Sequence, residues 1–253
     1  MRSRHPSPLV ALIVLVAAVL SVAGCGTGNA ERQIGDPITE SEADTLAGLL
    51  NANVDAGGAA FRVVSSYAEN TTFTYTGTVD FTTGTGIGVA VTDYDGEQPA
   101  ESSSLYFAAG ELTFGELNGL TDAMAAVGVP GVTFIRRPIV AGQDIVDTIA
   151  ALLPRLASPE PDDAAAYLAG DYTYQGQTTI DGQLATLFTF GQAQVAVGTD
   201  EDLMLQYVTT LPDSATRVTV TLSDHGPQTI EAPPAEQTVS AADYPDVAAA
   251  VGV

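Results

Sequence analysis

The chain of 253 residues lacks lysine and tryptophan, and its eight basic residues are all arginines. These arginines face 31 acidic residues, which gives a formal net charge of −23 at pH 7. Proteins that bind nucleic acid neutralise phosphates with basic side chains, so this balance argues against nucleic acid as a partner. The same charge repels an anionic lipid surface. Attachment to a membrane would therefore need a group other than the charged surface of the folded domain.

Cysteine is almost absent as well, because Cys25 is the only one in the chain. It follows an uncharged apolar run from Leu9 to Gly24, and Arg2 and Arg4 precede that run. A membrane-spanning helix needs about 20 apolar residues. The shorter run with a basic start indicates a secretory signal instead. Its last residues, VAGC at 22–25, resemble the bacterial lipobox, in which small residues precede an acylated cysteine.

The lipobox resemblance implies a lipoprotein signal peptide over 1–24 and a diacylglyceryl group, with fatty acids such as palmitate, on Cys25. An uncleaved anchor with an incidental cysteine is the alternative. Residues 25–38 are then predicted to form a flexible tether of on the order of 20 Å. We expect 39–253 to form a single domain on the extracytoplasmic face of the cell membrane. Without disulfides, such a domain depends on its core alone.

Two periodicities divide this domain. Thr39 and Glu42 have capping-box spacing before apolar residues at helical intervals, and helical spacing returns over 141–156. From about residue 60 the period is two, with polar and apolar residues alternating as in half-buried antiparallel strands. Ala109-Gly110 and Asp181-Gly182 are typical of hairpin turns. The order of helix, strands, helix and strands predicts an α+β fold.

Eight to ten strands in one antiparallel sheet would have to curl. We therefore expect a strongly curved half-barrel with helices across its concave face, enclosing an apolar cavity. The small residues that dominate the strands are one way to leave such a cavity unfilled. The alternative is that the same residues pack against each other and fill the core.

Catalytic groups are scarce in this sequence. His225 is the only histidine after the leader, and its neighbours in Ser223-Asp224-His225 alternate faces along a strand, unlike a triad assembled from separate segments. The acidic turn Asp93-Tyr94-Asp95-Gly96 lacks the glutamate that completes a calcium loop. We therefore predict no catalytic residue, metal ion or cofactor. A hydrolase with paired carboxylates is the remaining enzymatic alternative.

Three stretches of the sequence resemble the LppX/LprAFG family of actinobacterial envelope lipoproteins. They are TYTGTVDFTTGTGIGVAV at 74–91, YTYQGQTTIDGQLATLFTF at 172–190 and TRVTVTLSDHGPQTIEAPP at 216–234. The second stretch matches the family pattern at Gly176, Ile180, Asp181, Gly182, Thr186 and Phe188. The third matches it at Val218, Val220, Thr221, Leu222, Ser223, Gly226, Ala232, Pro233 and Pro234.

The resemblance implies a half-barrel like that of the LolA and LolB lipoprotein carriers, with an apolar cavity between sheet and helices. Family members bind acylated lipids, including triacylated glycolipids and phosphatidylinositol mannosides, and are thought to carry them across the envelope. No catalytic residue is implied. The expected ligand is thus an acylated lipid or glycolipid, the protein is expected to be a monomer, and a membrane transporter is a further expected partner.

Large apolar residues on the predicted strands and on the second helix are the candidate ligand-binding residues. They are Val79, Phe81, Val89, Val91, Phe107, Ile145, Ile149, Leu152, Phe188, Phe190, Val195 and Val197. Replacing Ile149 with tryptophan is predicted to block the cavity while leaving the fold mostly intact. The alternative function is a lipoprotein with a filled core that carries no lipid and docks an envelope enzyme or transporter through an exposed apolar patch.

Overall fold

The computed structural model describes residues 32–96, 98–140, 142, 144–211 and 216–253. Cys25, the predicted lipid anchor, and the predicted signal peptide lie outside these residues. The stretch from Gln33 to Val253 forms one compact unit.

The described residues contain five α-helices and twelve strands. The helices are α1 (Glu40–Ala56), α2 (Leu120–Ala126), α3 (Ile145–Leu152), α4 (Ala164–Ala169) and α5 (Pro245–Ala250), and a 3-10 turn, Leu153–Leu156, continues α3. The strands of the first half are β1 (Gly58–Ala68), β2 (Thr71–Asp80), β3 (Thr85–Asp93), β4 (Glu101–Ala108), β5 (Glu111–Gly115) and β6 (Phe134–Pro138). Those of the second half are β7 (Thr173–Ile180), β8 (Gln183–Phe190), β9 (Ala193–Gly198), β10 (Met204–Thr210), β11 (Arg217–Ser223) and β12 (Thr238–Ser240).

All twelve strands belong to one unclosed sheet, in the order β12-β6-β5-β4-β3-β2-β1-β11-β10-β9-β8-β7. Every neighbouring pair is antiparallel except β6 and β12, which run parallel. The predicted α+β class with a large antiparallel sheet is confirmed. The strand count exceeds the prediction because β6 and β12 are short and lie in segments whose patterning is weak.

One face of the sheet carries a continuous apolar core. Phe61 and Val63 of β1 lie opposite Leu222 and Val220 of β11, and all four side chains are buried. The ring of Phe61 also meets that of Tyr75 edge-on, with 4.8 Å between centroids. Burying an apolar side chain of this size contributes about 2 kcal/mol. The core face is therefore the main source of stability in a domain without disulfides.

Glycines bring β2 and β3 unusually close at the middle of the sheet. Gly77 lies opposite Gly88, and a methyl group added to Gly88 would meet the carbonyl oxygen of Thr76 at 2.3 Å. Gly86 lies against the ring of Phe107, where a methyl group would stand only 2.2 Å away. Side chains larger than hydrogen would force these strands apart, so the glycines permit the close approach at this point.

The register of β3 corrects the prediction for two of the candidate ligand-binding residues. Ala90 lies opposite the buried Tyr75, and Val89 lies opposite Thr76. Val89 and Val91 consequently lie on the face opposite the core, and Val89 is 45% exposed. The prediction that they share a pocket with Val79 is wrong. The core-facing positions of β3 are held by its small residues, so the large residues alone indicated the wrong face.

The end of the predicted tether is part of the domain. The amide of Gly35 donates to the carbonyl of Tyr174 at 2.8 Å, and the amide of Tyr174 donates to the carbonyl of Asp36 at 2.9 Å. Ile38 follows and is buried in the core. Residues 33–38 therefore run beside β7 instead of extending the tether as the sequence predicted.

Helix α1 begins as the sequence predicts. The amide of Glu42 donates to Thr39 Oγ1 at 3.3 Å, and the amide of Thr39 donates back to Glu42 Oε2 at 2.8 Å. This capping box satisfies amides that have no partner inside the helix. Ala43, Leu46 and Ala47 are buried, so the predicted apolar stripe does face the protein interior.

Candidate functional site

An apolar pocket of about 300 Å³ lies between the helices and the core face of the second half of the sheet. Its lining residues are Leu46, Leu49, Leu50, Leu152, Arg155, Leu156, Tyr167, Tyr172, Phe190, Val195, Met204 and Tyr207. Arg155 is the one charged residue in this set. A volume of about 300 Å³ is at the lower end of the range for small-molecule sites. An apolar space of this size suits a hydrocarbon chain better than a polar molecule.

Helix α1 provides one wall and also holds the segment that closes the pocket. Leu46, Leu49 and Leu50 recur at helical spacing, so they share one face. The buried Asn53 donates from Nδ2 to the carbonyl of Leu156 at 2.6 Å. The amide of Asp162 donates to the carbonyl of Ala47 at 2.9 Å. These bonds fix the chain after α3 against α1 and thereby set the width of the pocket.

Three stacked aromatic rings form the opposite wall. The Tyr167 and Tyr172 ring centroids are 4.8 Å apart, and those of Tyr172 and Phe190 are 4.9 Å apart. The hydroxyl of Tyr167 donates to Asp162 Oδ2 at 2.8 Å. Burial, followed by the interaction with Asp162, raises the pKa of Tyr167. The Tyr167 hydroxyl therefore stays protonated at neutral pH, and Asp162 accepts its hydrogen bond. The rings can then present apolar faces to the pocket.

A larger and more polar groove of about 740 Å³ adjoins the apolar pocket. The groove is lined by Tyr67, Gly142, Asp144, Ile145, Thr148, Ala151, Leu152, Arg155, Tyr207, Thr209, Thr210, Leu211 and Thr216. Leu152, Arg155 and Tyr207 line both spaces. The two spaces thus share a boundary, and the groove has the more polar lining of the two.

An ion-pair cluster fixes α3, which borders the groove. Arg137 on β6 donates to both carboxylate oxygens of Asp147 at 2.7 Å, and to Asp144 Oδ2 at 3.1 Å. The amide of Val140 donates to Asp147 Oδ1 at 2.6 Å. The guanidinium of Arg137 also lies 5.1 Å from the centre of the Phe114 ring. Because Asp147 is fully buried, this cluster ties the start of α3 rigidly to the sheet.

The structure places four of the predicted site residues at these spaces. Leu152, Phe190 and Val195 line the apolar pocket, and Ile145 and Leu152 line the groove. The remaining core-facing predictions are buried and line neither space: Val79, Phe81, Phe107, Ile149, Phe188 and Val197. They belong to the buried core cluster.

The predicted effect of tryptophan at position 149 needs correction for this reason. Ile149 is completely buried within the core cluster and lines neither space. A larger side chain there would overpack the core, which typically costs about 1–3 kcal/mol. It would lower stability without filling the pocket. A residue that reaches the pocket itself, such as Leu50, is the suitable position for a blocking substitution.

Several pocket residues were missed by the sequence prediction. The leucines of α1 had a visible signal, because their helical stripe was recognised as apolar. Tyr167 and Tyr172 gave no such signal in the sequence, since the stacking of their rings depends on how α4 packs beside the start of β7. Arg155 had none either, because its position at a cavity appears only once the 3-10 turn is placed.

Other chemistry is sparse in the described part of the chain. Within it, no group of three or more histidine, cysteine, aspartate or glutamate side chains could hold a metal ion. No helix among the described residues is long and apolar enough to cross a membrane. Burial lowers the pKa of His225, and its Nε2 atom is buried without a hydrogen-bond partner in the structure. This histidine is therefore neutral at pH 7 and lines neither of the two spaces.

Comparisons with known proteins leave the family open. No protein-family model matches the chain, and no curated protein matches it. Among solved structures, MucB has 13% identity and a TM-score of 0.40, over 79% of this chain and 66% of that chain. An uncharacterised conserved protein from Thermus thermophilus has 8% identity and a TM-score of 0.37, over 76% and 96%. The MucA/MucB complex of Pseudomonas aeruginosa has 13% identity and a TM-score of 0.34, over 78% and 60%.

The chain therefore spans slightly less than two thirds of the length of MucB. At these identities and scores, no residue role is transferred from these proteins. The function of the site rests on its own geometry.

Proposed function

We propose that this protein is an envelope lipoprotein that binds the acyl chain of a membrane lipid or glycolipid and carries the lipid through water between membranes. The observation that supports the proposal most directly is the apolar pocket beneath α1, with its leucine and aromatic walls. The adjoining, more polar groove offers space for a headgroup. This pairing of compartments matches the two-part chemistry of an amphiphile.

The driving force for binding is the removal of hydrocarbon from water. Each methylene group that leaves water for an apolar site gains about 0.8 kcal/mol. A bilayer offers nearly the same gain, so the net preference for the protein over the membrane is small. Such a balance suits a carrier, because it lets the lipid enter and leave while lowering the cost of crossing water.

The anchor completes the proposal at the level of the cell. Acylation of Cys25 would hold the protein on the extracytoplasmic face of the cell membrane, since two or more chains give stable attachment. The strongly acidic domain would be repelled by anionic headgroups and held away from the bilayer by its tether. The proposed activity needs no chemical step, so the protein acts as a monomeric carrier rather than an enzyme, with a membrane transporter as a further proposed partner.

A blocking substitution in the pocket tests the proposal. Leu50 is partly buried and lines the pocket, so Leu50→Trp should fill the space that an acyl chain would occupy. We expect at least a tenfold loss of affinity for a dansyl-labelled undecanoic acid, measured through its own emission. Val89→Trp is the matched control, because Val89 lies exposed on the opposite face of the sheet. The control should bind the probe as the unaltered protein does.

Equal binding by the two tryptophan variants, both folded by circular dichroism, would contradict the proposal. That result would mean that the probe binds elsewhere. It would favour the alternative in which the pocket has no ligand and the protein docks an envelope partner.

A further inference from the structure

Arg155 occupies a fixed position at the boundary between the two spaces. It belongs to the 3-10 turn Leu153–Leu156, in which Leu153 and Leu156 are buried on either side of it. The bond from Asn53 to the carbonyl of Leu156 anchors the same turn to α1. The backbone of Arg155 is therefore held in place, while its exposed side chain borders both the apolar pocket and the groove.

The charge of Arg155 is not used inside the described structure. Arg136 pairs with Glu111 at 3.1 Å, and Arg137 pairs with two aspartates. The side chain of Arg155, in contrast, makes no hydrogen bond or ion pair with any residue in the described ranges. The chain has 31 acidic residues with which an arginine could pair. Its guanidinium stands at a cavity junction with its donors available.

The surroundings of Arg155 in the groove also suit an anion. The lining includes the hydroxyl residues Tyr67 and Thr210, whereas the hydroxyls of Thr148 and Thr209 already donate to the backbone carbonyls of Asp144 and Thr210. Asp144 is the one carboxylate among the lining residues, and it already accepts from Arg137 at 3.1 Å and from the amide of Asp147 at 2.8 Å. Its negative charge is only partly offset, because Arg137 pairs mainly with Asp147. Arg155 remains the cationic group that faces a ligand in the groove.

We infer that Arg155 binds the anionic headgroup of an amphiphile whose acyl chain lies in the apolar pocket. This inference rests on the proposed function and adds the class of headgroup to it. A guanidinium presents paired N–H donors that match two oxygens of a phosphate or carboxylate. The contact would lie where the polar part of a lipid must begin, at the boundary that Leu152 and Tyr207 share with Arg155.

Two lipids with the same acyl chain, one with a neutral headgroup and one with a phosphate, test this inference. Monomyristoylglycerol is neutral, and its phosphate ester is a lysophosphatidic acid with the same chain. Using the full chain with Cys25→Ser, so that it carries no lipid anchor, we expect about tenfold tighter binding of the phosphate ester by titration calorimetry. In Arg155→Gln this preference should disappear, while affinity for the neutral lipid stays the same.

Arg62→Gln is the matched control, because it removes the same charge from an exposed position on the sheet face opposite the core. This variant should keep the tenfold preference, since screening at about 0.15 M salt limits exposed charges to about 8 Å. If the unaltered protein binds both lipids equally, the inference is wrong and the proposed function stands. If it binds neither lipid, both are wrong. If Arg155→Gln weakens both lipids alike, Arg155 shapes the pocket and does not select the headgroup.

Discussion

Asp147 has the most demanding electrostatic environment described in this protein. It is fully buried, yet it accepts both guanidinium bonds of Arg137 and the amide of Val140. Burial by itself would raise the pKa of Asp147, but the bonds from Arg137 and the neighbouring groups outweigh it and hold the pKa below its usual value. The carboxylate is therefore charged at neutral pH and serves to fix α3 beside the groove.

Removing the charge of Asp147 should lower the free energy of unfolding much more than removing an exposed charge. Asp147→Asn leaves Arg137 without its main partner in a buried site, so we expect a loss of about 3 kcal/mol in the free energy of unfolding. Glu111→Gln removes the exposed partner of Arg136, where both side chains are about half exposed, and should cost less than about 1 kcal/mol. Urea denaturation of both variants measures the difference. Equal losses would show that Asp147 is not a structural anchor.

The same aspartate predicts how stability depends on pH. Its pKa in the folded state is below the unfolded value of about 3.9. Its contribution is therefore complete above about pH 4 and is lost as the pH falls through the folded pKa. Asp144 partly opposes this effect, because burial raises its pKa. Denaturation can be measured from about pH 7 down to about pH 3. Over this range, the free energy of unfolding should fall less for Asp147→Asn than for the unaltered protein.

Among the structural elements, the β2–β3 hairpin and α1 use glycine in opposite ways. Gly88 has no space for a side chain, since the nearest atoms belong to the backbone of β2. Gly48 lies inside α1, and a methyl group there would meet nothing within 4 Å. Gly88 is therefore required by the close approach of two strands, whereas Gly48 only makes α1 less stable.

Alanine at these two positions should change stability in opposite directions. Gly88→Ala should cost about 2 kcal/mol or more, because strands must separate to admit the methyl group. Gly48→Ala should add about 0.5–1 kcal/mol, because glycine is a poor helix former and the position is open. Thermal denaturation reports both signs. A neutral Gly88→Ala variant would show that the hairpin does not need the close approach.

Local elements were predictable from the sequence because their signals are local. The capping box of α1 forms between Thr39 and Glu42 as expected. The turns at Ala109-Gly110 and Asp181-Gly182 adopt the positive φ angles that such hairpins require. In each case, the residues that determine the geometry are neighbours in the chain.

The site could be predicted only in part because distant segments build it. Phe190 and Val195 were recognised by their alternation, but Tyr172 depends on ring stacking with α4. The register of β3 with β2 decides on which face of the sheet Val89 lies. The glycines of β3 give no apolar pattern from which that register could be predicted. Arg155 sits in a 3-10 turn whose placement follows from a bond to Asn53, about a hundred residues earlier.

The whole molecule combines a strongly acidic composition with a packed apolar core and an apolar pocket beside that core. With 31 acidic residues and no lysine, the domain has little attraction for anionic bilayers or nucleic acid. Its apolar pocket lies on the core face, beside α1, which is tied by backbone bonds to the loop that precedes α4. Under the proposed function, the protein would approach a membrane through acylated Cys25 and exchange lipid through this pocket.

The central claim is that the pocket holds an acyl chain. Native mass spectrometry of the Cys25→Ser protein, purified without detergent, tests it most directly. We predict a stoichiometric adduct with the mass of an acylated lipid in the unaltered pocket, and its loss in Leu50→Trp. A clean protein mass without lipid, even after incubation with vesicles, would contradict the claim and leave the pocket without this ligand.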